Sequence, residues 1–166
     1  MAEFIPVGSF DIVIFGGTGD LAQKKLLPAL YHRWADGQIP IDSRIIGVSR
    51  SEMDDAAFRA FAYEACEEAT PDSLDKSEWK KFEQHLHYIA MDATQPDADW
   101  DELKSQLTLE ADRPLVFYLA VTPKIYVPIC EALGKVELNT ASARVVLEKP
   151  IGTDLKSAHA INAGVG

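Results

Sequence analysis

The run Phe10-Asp11-Ile12-Val13-Ile14-Phe15 leads without a break into Gly16-Gly17-Thr18-Gly19-Asp20-Leu21-Ala22. A stretch that reads as a buried strand ends on clustered glycines, and the residues after them resume at helical spacing. Strand, sharp turn and helix in direct succession commit the chain to a β-α unit. The same alternation then repeats. Further apolar runs cover Arg44 to Ser49, Leu86 to Met91, Pro114 to Val121 and Ala143 to Leu147, so five strands are predicted, Phe10 to Phe15 being the first. Between them lie stripes at helical spacing: Leu27, Leu30, Tyr31 and Trp34; Phe58, Phe61 and Ala65; Trp79 and Phe82; Trp100, Leu103 and Leu107; Tyr126, Ile129, Cys130 and Leu133. Pro28 interrupts the first stripe. A helix-interior proline loses a hydrogen bond and clashes with the preceding turn, which predicts a break: a short helical turn from Asp20 to Leu26, then a helix restarting with Pro28 near its first position and ending around Gly37.

Strict alternation with right-handed crossovers predicts an α/β fold, a doubly wound parallel sheet of Rossmann-like form. It is expected over residues 10–166, with residues 1–9 as a flexible N-terminal stretch, and its ligand outside the carboxyl ends of the strands. With 16 basic and 26 acidic side chains the net charge is −10, which argues against a nucleic-acid partner and requires a locally positive pocket for any anionic ligand. No apolar run approaches the ~20 residues of a membrane span, and Met1 to Ser9 lacks the pattern of a signal peptide. Cys66 and Cys130 fall in helical patterns without CxxC spacing and read as reduced packing residues. The chain is therefore expected in the cytoplasm, away from membranes.

Gly17, Gly19 and Ala22 satisfy G-x-G-x-x-G/A at a strand-to-helix turn, where a backbone without Cβ atoms can approach a pyrophosphate and helix-terminal amides can meet its charge. There is no G-x-x-x-x-G-K-[ST] loop. NAD-binding domains commonly end their second strand on an acid for the ribose hydroxyls, whereas this sequence ends Gly47-Val48-Ser49-Arg50-Ser51. Arg50 can present a planar fork of donors to a 2′-phosphate, with Ser49 or Ser51 adding a hydroxyl, which selects NADP; the plain alternative is a solvated arginine. Asp92 stands at the ligand edge, either beside the adenine or capping its turn. Tyr126 either packs on the cofactor or belongs to the core. Lys149, aimed by Pro150, either donates to a sugar hydroxyl or phosphate or is a charged strand end, and its bond to Pro150 can be cis. His32, His85, His87 and His159 form no metal set. A G-x-S-x-G elbow and a Tyr-x-x-x-Lys pair are both absent.

Taken together, Phe15-Gly16-Gly17-Thr18-Gly19-Asp20-Leu21-Ala22 with Lys24-Lys25-Leu26-Leu27-Pro28, Gly47-Val48-Ser49-Arg50, Phe117-Tyr118-Leu119-Ala120 and Glu148-Lys149-Pro150-Ile151-Gly152 resemble the glucose-6-phosphate dehydrogenase family from Phe10 onward. The resemblance implies NADP-dependent oxidation of glucose 6-phosphate to 6-phosphogluconolactone, the entry step of the pentose phosphate pathway. It implies that Gly16, Gly17, Thr18, Gly19, Asp20, Leu21, Ala22 and Gln23 form the pyrophosphate loop and that Arg50 grips the 2′-phosphate. It also implies that Tyr126 lies by the cofactor and that Lys149 meets both nicotinamide and substrate. Gln23 stands where the family commonly has a basic residue, and Thr122 where it often has proline. The family's Arg-Ile-Asp-His-Tyr-Leu-Gly-Lys-Glu segment, with its catalytic histidine, does not occur in these 166 residues, and the chain is expected to lack the substrate domain that follows in the family. The expectation is a truncated coenzyme domain that binds NADP without turnover, monomeric by itself and drawn from an oligomeric parent. A stand-alone NADP sensor acting on a partner protein is the alternative.

Overall fold

The computed structural model describes residues 9–40, 42–72, 74–95, 98–107, 113–138 and 143–147. The elements are β1 (Asp11–Phe15), a π turn (Ala22–Leu26), α1 (Leu27–Ala35), β2 (Arg44–Ser49), α2 (Asp55–Ala69), α3 (Lys76–Phe82), β3 (Leu86–Ala90), α4 (Trp100–Gln106), β4 (Leu115–Leu119), α5 (Tyr126–Lys135) and β5 (Ala143–Leu147). The five strands run parallel in the order β3-β2-β1-β4-β5. The winding reverses between β1 and β4, which is the switch point where such sheets take their ligand.

Side chains alternate across the sheet, as period 2 demands. Ile12, Ile14, Ile45, Leu86, Tyr88, Val116 and Tyr118 face α1, α2 and α3. Val13, Phe15, Ile46, Val48, Ile89, Phe117 and Leu119 face α4 and α5. Both faces are covered, so the central strand β1 is buried throughout. Asp54, Asp75 and Asp99 accept amide hydrogen bonds at the starts of α2, α3 and α4, satisfying donors that the helices cannot pair internally.

Two sequence expectations are corrected. Pro28 stands near the first position of α1, after a distinct turn ending at Leu26, as expected, but no break in the helix accompanies it. Helical backbone continues from Asp20 to Ala35, and the preceding turn widens so that the Leu27 N–H donates to the Ala22 carbonyl. The π turn absorbs the proline within the helix, and it seats both Ala22 and Leu27 against the sheet at 0% exposure although they are five positions apart. In α2 the buried stripe is Phe58, Ala62, Ala65 and Cys66, with Phe61 half-buried at its margin. Ring size was a poor guide there, because the helix lies close enough to the sheet to favour small side chains. The closeness has a cause at Gly47, where a Cβ would stand 2.5 Å from the Phe58 ring.

The edge strand β3 is stoppered by α2: the Tyr88 N–H donates to Asp55 Oδ1 at 2.8 Å, and Arg59 Nε donates to the Leu86 carbonyl at 3.0 Å. At the amino end of β1, the Asp11 carboxylate is 1% exposed and receives Arg113 Nη2 at 2.7 Å; the same nitrogen donates to the Asp42 carbonyl at 2.7 Å. Cys66 and Cys130 are free and buried, and burial pushes their thiols up to about 12 and about 11. Among the described residues no helix is long and apolar enough to cross a membrane.

Replacing Gly47 with alanine is expected to cost about 1–3 kcal/mol by overpacking Phe58, measured by chemical denaturation. His87 gives a pH prediction. Its Nδ1 lies 3.5 Å from Asp55 Oδ2, yet burial outweighs that carboxylate and holds the imidazole below its ordinary 6.5, with Arg59 and Arg44 pushing the same way. The unfolded chain therefore takes up a proton before the folded one, and the stability present above 6.5 is lost as the pH falls. Melting curves between roughly pH 7 and pH 5 should show a smaller decline for His87→Gln than for the parent.

Candidate dinucleotide-binding site

The turn after β1 is stitched to both neighbouring strands. Gly16 and Gly17 N–H groups donate to the Val48 carbonyl at 2.8 and 3.1 Å, and the Ala120 N–H donates to the Phe15 carbonyl at 2.9 Å. Gly16 has φ +84°, and a Cβ on it would meet the Ala120 carbonyl oxygen at 2.3 Å; one on Gly17 would meet Gly47 Cα at 2.8 Å. Gly19 differs. A Cβ there would touch only the Gly16 carbonyl oxygen, at an ordinary 3.4 Å, so the protein's own packing leaves that space open to something approaching from outside. Beyond it, the N–H groups of Asp20, Leu21 and Ala22 find no backbone acceptor among the described residues, which makes the helix start a place for negative charge.

A cleft of about 400 Å³ opens over this turn. Its walls are Gly16, Thr18 and Gly19 from the first turn, Ser49, Arg50 and Ser51 after β2, Asp92 to Thr94 after β3, and Val121, Thr122 and Ile125 after β4. The structure thus brings together Gly16, Thr18, Gly19, Ser49, Arg50 and Asp92 from the ends of three strands, β1, β2 and β3. Arg50 is exposed and makes no hydrogen bond or ion pair among the described residues. Asp92 Oδ1 accepts from the Thr94 hydroxyl at 2.6 Å and the Thr94 N–H at 3.0 Å. Those bonds, aided by the Arg50 charge, hold its carboxyl below the usual range. Asp92 therefore caps its own turn, the second of its two readings, while still lining the cleft.

Other expected residues stand elsewhere. Asp20 is exposed, Leu21 and Gln23 are half-buried, and Ala22 is packed against the core; none of them, nor Gly17, lines the cleft. Tyr126 is 1% exposed, clustered with Phe15, Phe117 and Leu133, and stands outside the cleft wall: the apolar stripe of α5 carries it inward. Lys149, with Glu148 and Pro150, lies outside the described residues.

Tyr88 was not singled out by sequence reasoning, yet its hydroxyl lies under the Arg50 loop. It is 2.5 Å from Ser49 Oγ and donates to the Ser51 carbonyl at 2.6 Å, while Ser49 Oγ is 2.9 Å from Thr18 Oγ1. The available signal was register, since Tyr88 pairs with Gly47 just before the end of β2.

Fold, switch point and cleft define a dinucleotide-binding α/β domain. Residues 13–166 match the sequence family described as glucose-6-phosphate dehydrogenase, NAD binding domain, and the chain belongs to that family. It is 48% identical over 168 residues to the glucose-6-phosphate 1-dehydrogenase of Gluconobacter oxydans, covering 100% of this chain and 34% of that protein. To the Rhizobium meliloti protein of the same name it is 45% identical, covering 99% and 34%. Its fold matches glucose-6-phosphate 1-dehydrogenase from Mycobacterium avium with a TM-score of 0.83 at 33% identity, over 96% of this chain and 34% of that one. A glucose-6-phosphate dehydrogenase in complex with its substrate glucose-6-phosphate matches with a TM-score of 0.80 at 29% identity, over 95% and 34%. The chain thus spans about a third of the length of the curated relatives it matches. The family makes a nicotinamide dinucleotide the cofactor class, and the open space over Gly19 and the unpaired amides of the helix start fit its pyrophosphate.

The Gly19→Ala variant is expected to keep the parent's melting temperature while its dinucleotide dissociation constant rises about tenfold, or about 1.4 kcal/mol, by isothermal calorimetry. A variant that instead unfolds would show that Gly19 serves the turn and not the ligand.

Proposed function

We propose that the chain binds NADP, as the coenzyme domain of a protein that oxidises D-glucose 6-phosphate to 6-phospho-D-glucono-1,5-lactone. Arg50 carries the choice of NADP. It lines the cleft from the end of β2, where an NAD-type domain would place an acid. The nearby Asp92 carboxylate is engaged by Thr94, which leaves the guanidinium available for bidentate bonds to a phosphate. In a chain of net charge −10 such a cation is what an additional anionic group requires.

The residues divide the remaining work. Gly16 and Gly19 let the backbone approach the pyrophosphate, and the helix start at Asp20 to Ala22 meets its charge. The bound coenzyme supplies the nicotinamide ring that accepts hydride. Lys149 is assigned to the sugar phosphate and nicotinamide by its family context alone. Removing the proton of the sugar's C1 hydroxyl needs a base within hydrogen-bond reach. His32, His85 and His87, the described histidines, stand outside the cleft wall. The chain by itself is therefore read as binding without turnover, a reading supported by relatives about three times its length. Its place of action is taken to be the cytoplasm, where two buried, unpaired thiols are at home.

The test is calorimetric titration of the parent and Arg50→Ala with NADP and with NAD. NADP affinity should fall roughly 10- to 100-fold, the scale of lost charge-assisted hydrogen bonds, with NAD affinity nearly unchanged. Equal losses for both would remove the 2′-phosphate role. Incubating the chain with glucose 6-phosphate and NADP should give no sustained rise in NADPH absorbance.

A further inference from the structure

A tyrosine hydroxyl carries one proton and carbonyl oxygens carry none, which fixes the direction of the bonds under the Arg50 loop. Tyr88 Oη lies 2.6 Å from the Ser51 carbonyl and 3.3 Å from the Ser49 carbonyl, and its proton goes to the nearer. The 2.5 Å contact with Ser49 Oγ is then donated by the serine, which in turn accepts from Thr18 Oγ1 at 2.9 Å. Thr18, Ser49, Tyr88 and the Ser51 carbonyl form one directed chain. It runs from the glycine turn, beneath Arg50, to the far side of the same loop.

The residue that closes this chain is itself held. Tyr88 is 4% exposed, its ring lies 5.2 Å from that of Phe58, and its N–H is fixed by Asp55 from the start of α2. The loop between β2 and α2 is thereby pinned at Ser49, Ser51 and Asp55, and Arg50 projects from it as an exposed side chain in the cleft wall. Burial pushes the Tyr88 hydroxyl above its ordinary value, so it keeps its proton throughout the neutral range.

We propose that Tyr88 is a specificity-determining positioning residue: its hydroxyl clamps the Ser49 to Ser51 turn so that Arg50 meets a 2′-phosphorylated adenosine ligand. It lies outside the cleft wall and acts through the loop. The inference rests on the NADP reading given above.

Tyr88→Phe keeps the ring and removes only the oxygen. The parent, Tyr88→Phe, Arg50→Ala and the double variant are titrated with 2′,5′-ADP and with 5′-ADP. Tyr88→Phe should weaken 2′,5′-ADP about fivefold, the scale of one net hydrogen bond, and 5′-ADP less than about twofold. In the Arg50→Ala background it should weaken neither further, because coupled residues are non-additive. A purely structural role would weaken both ligands alike or add its effect to that of Arg50→Ala, and either result overturns the proposal. An unchanged ligand ratio in Tyr88→Phe, with the parent still preferring 2′,5′-ADP, overturns it while leaving the NADP reading intact. A parent without that preference removes both. Should Tyr88→Phe not fold, nuclear magnetic resonance of the Tyr88 hydroxyl proton in the parent decides: slower exchange on adding 2′,5′-ADP but not 5′-ADP supports the clamp, and equal behaviour refutes it.

Discussion

The first turn of the chain must pass between two neighbouring strands where no side chain fits. A Cβ on Gly16 would collide with the β4 side of the turn and one on Gly17 with β2, so the sheet closes at its centre only if both positions are bare. The rest follows from that crossing. The helix begins just beyond Gly19 with amides that have no backbone acceptor among the described residues, the π turn rephases it so that Ala22 and Leu27 both reach the sheet, and the loops after β2, β3 and β4 gather around the cleft that Gly19 lines.

An acidic chain that takes an anionic ligand has to build its positive charge locally. Asp92, the acid among the cleft residues, stays ionised and accepts from Thr94 through Oδ1, while the hydroxyls of Ser49 and Tyr88 are engaged beneath the Arg50 loop. The Arg50 guanidinium and the start of the first helix are the positive elements there. Two features of the fold set this up: Gly47 admits Phe58 beneath β2, and Phe58 in turn backs Tyr88.

The strands could be read from the sequence because both faces of the sheet are covered, which turns each strand into a continuous apolar run. The end of β2 was equally readable, since Arg50 stands where an acid was to be expected. Less readable were features that depend on distance between elements. Phe61 outranks Ala62 on any hydrophobic scale, but the gap between α2 and the sheet accepts the smaller residue. Pro28 looks like a helix break until a wider turn accommodates it. Tyr126 belongs to the apolar stripe of α5, and its burial follows from that stripe. Tyr88 sits in a run that reads simply as strand; its importance comes from a hydroxyl reaching across to another loop, which no local pattern encodes.

The buried pair of Asp11 and Arg113 lies at the opposite end of the sheet from the cleft, joining positions 102 residues apart in sequence. Parallel strands rich in Ile, Val and Phe can slide past one another with little change in apolar contact, so hydrophobicity alone is a weak guide to alignment. A slip between β1 and β4 would separate the aspartate from its guanidinium and strand a charge in the interior, at a cost of about 3–5 kcal/mol. The pair thus favours the same β1·β4 alignment in which the bare glycine turn at the far end meets its neighbours.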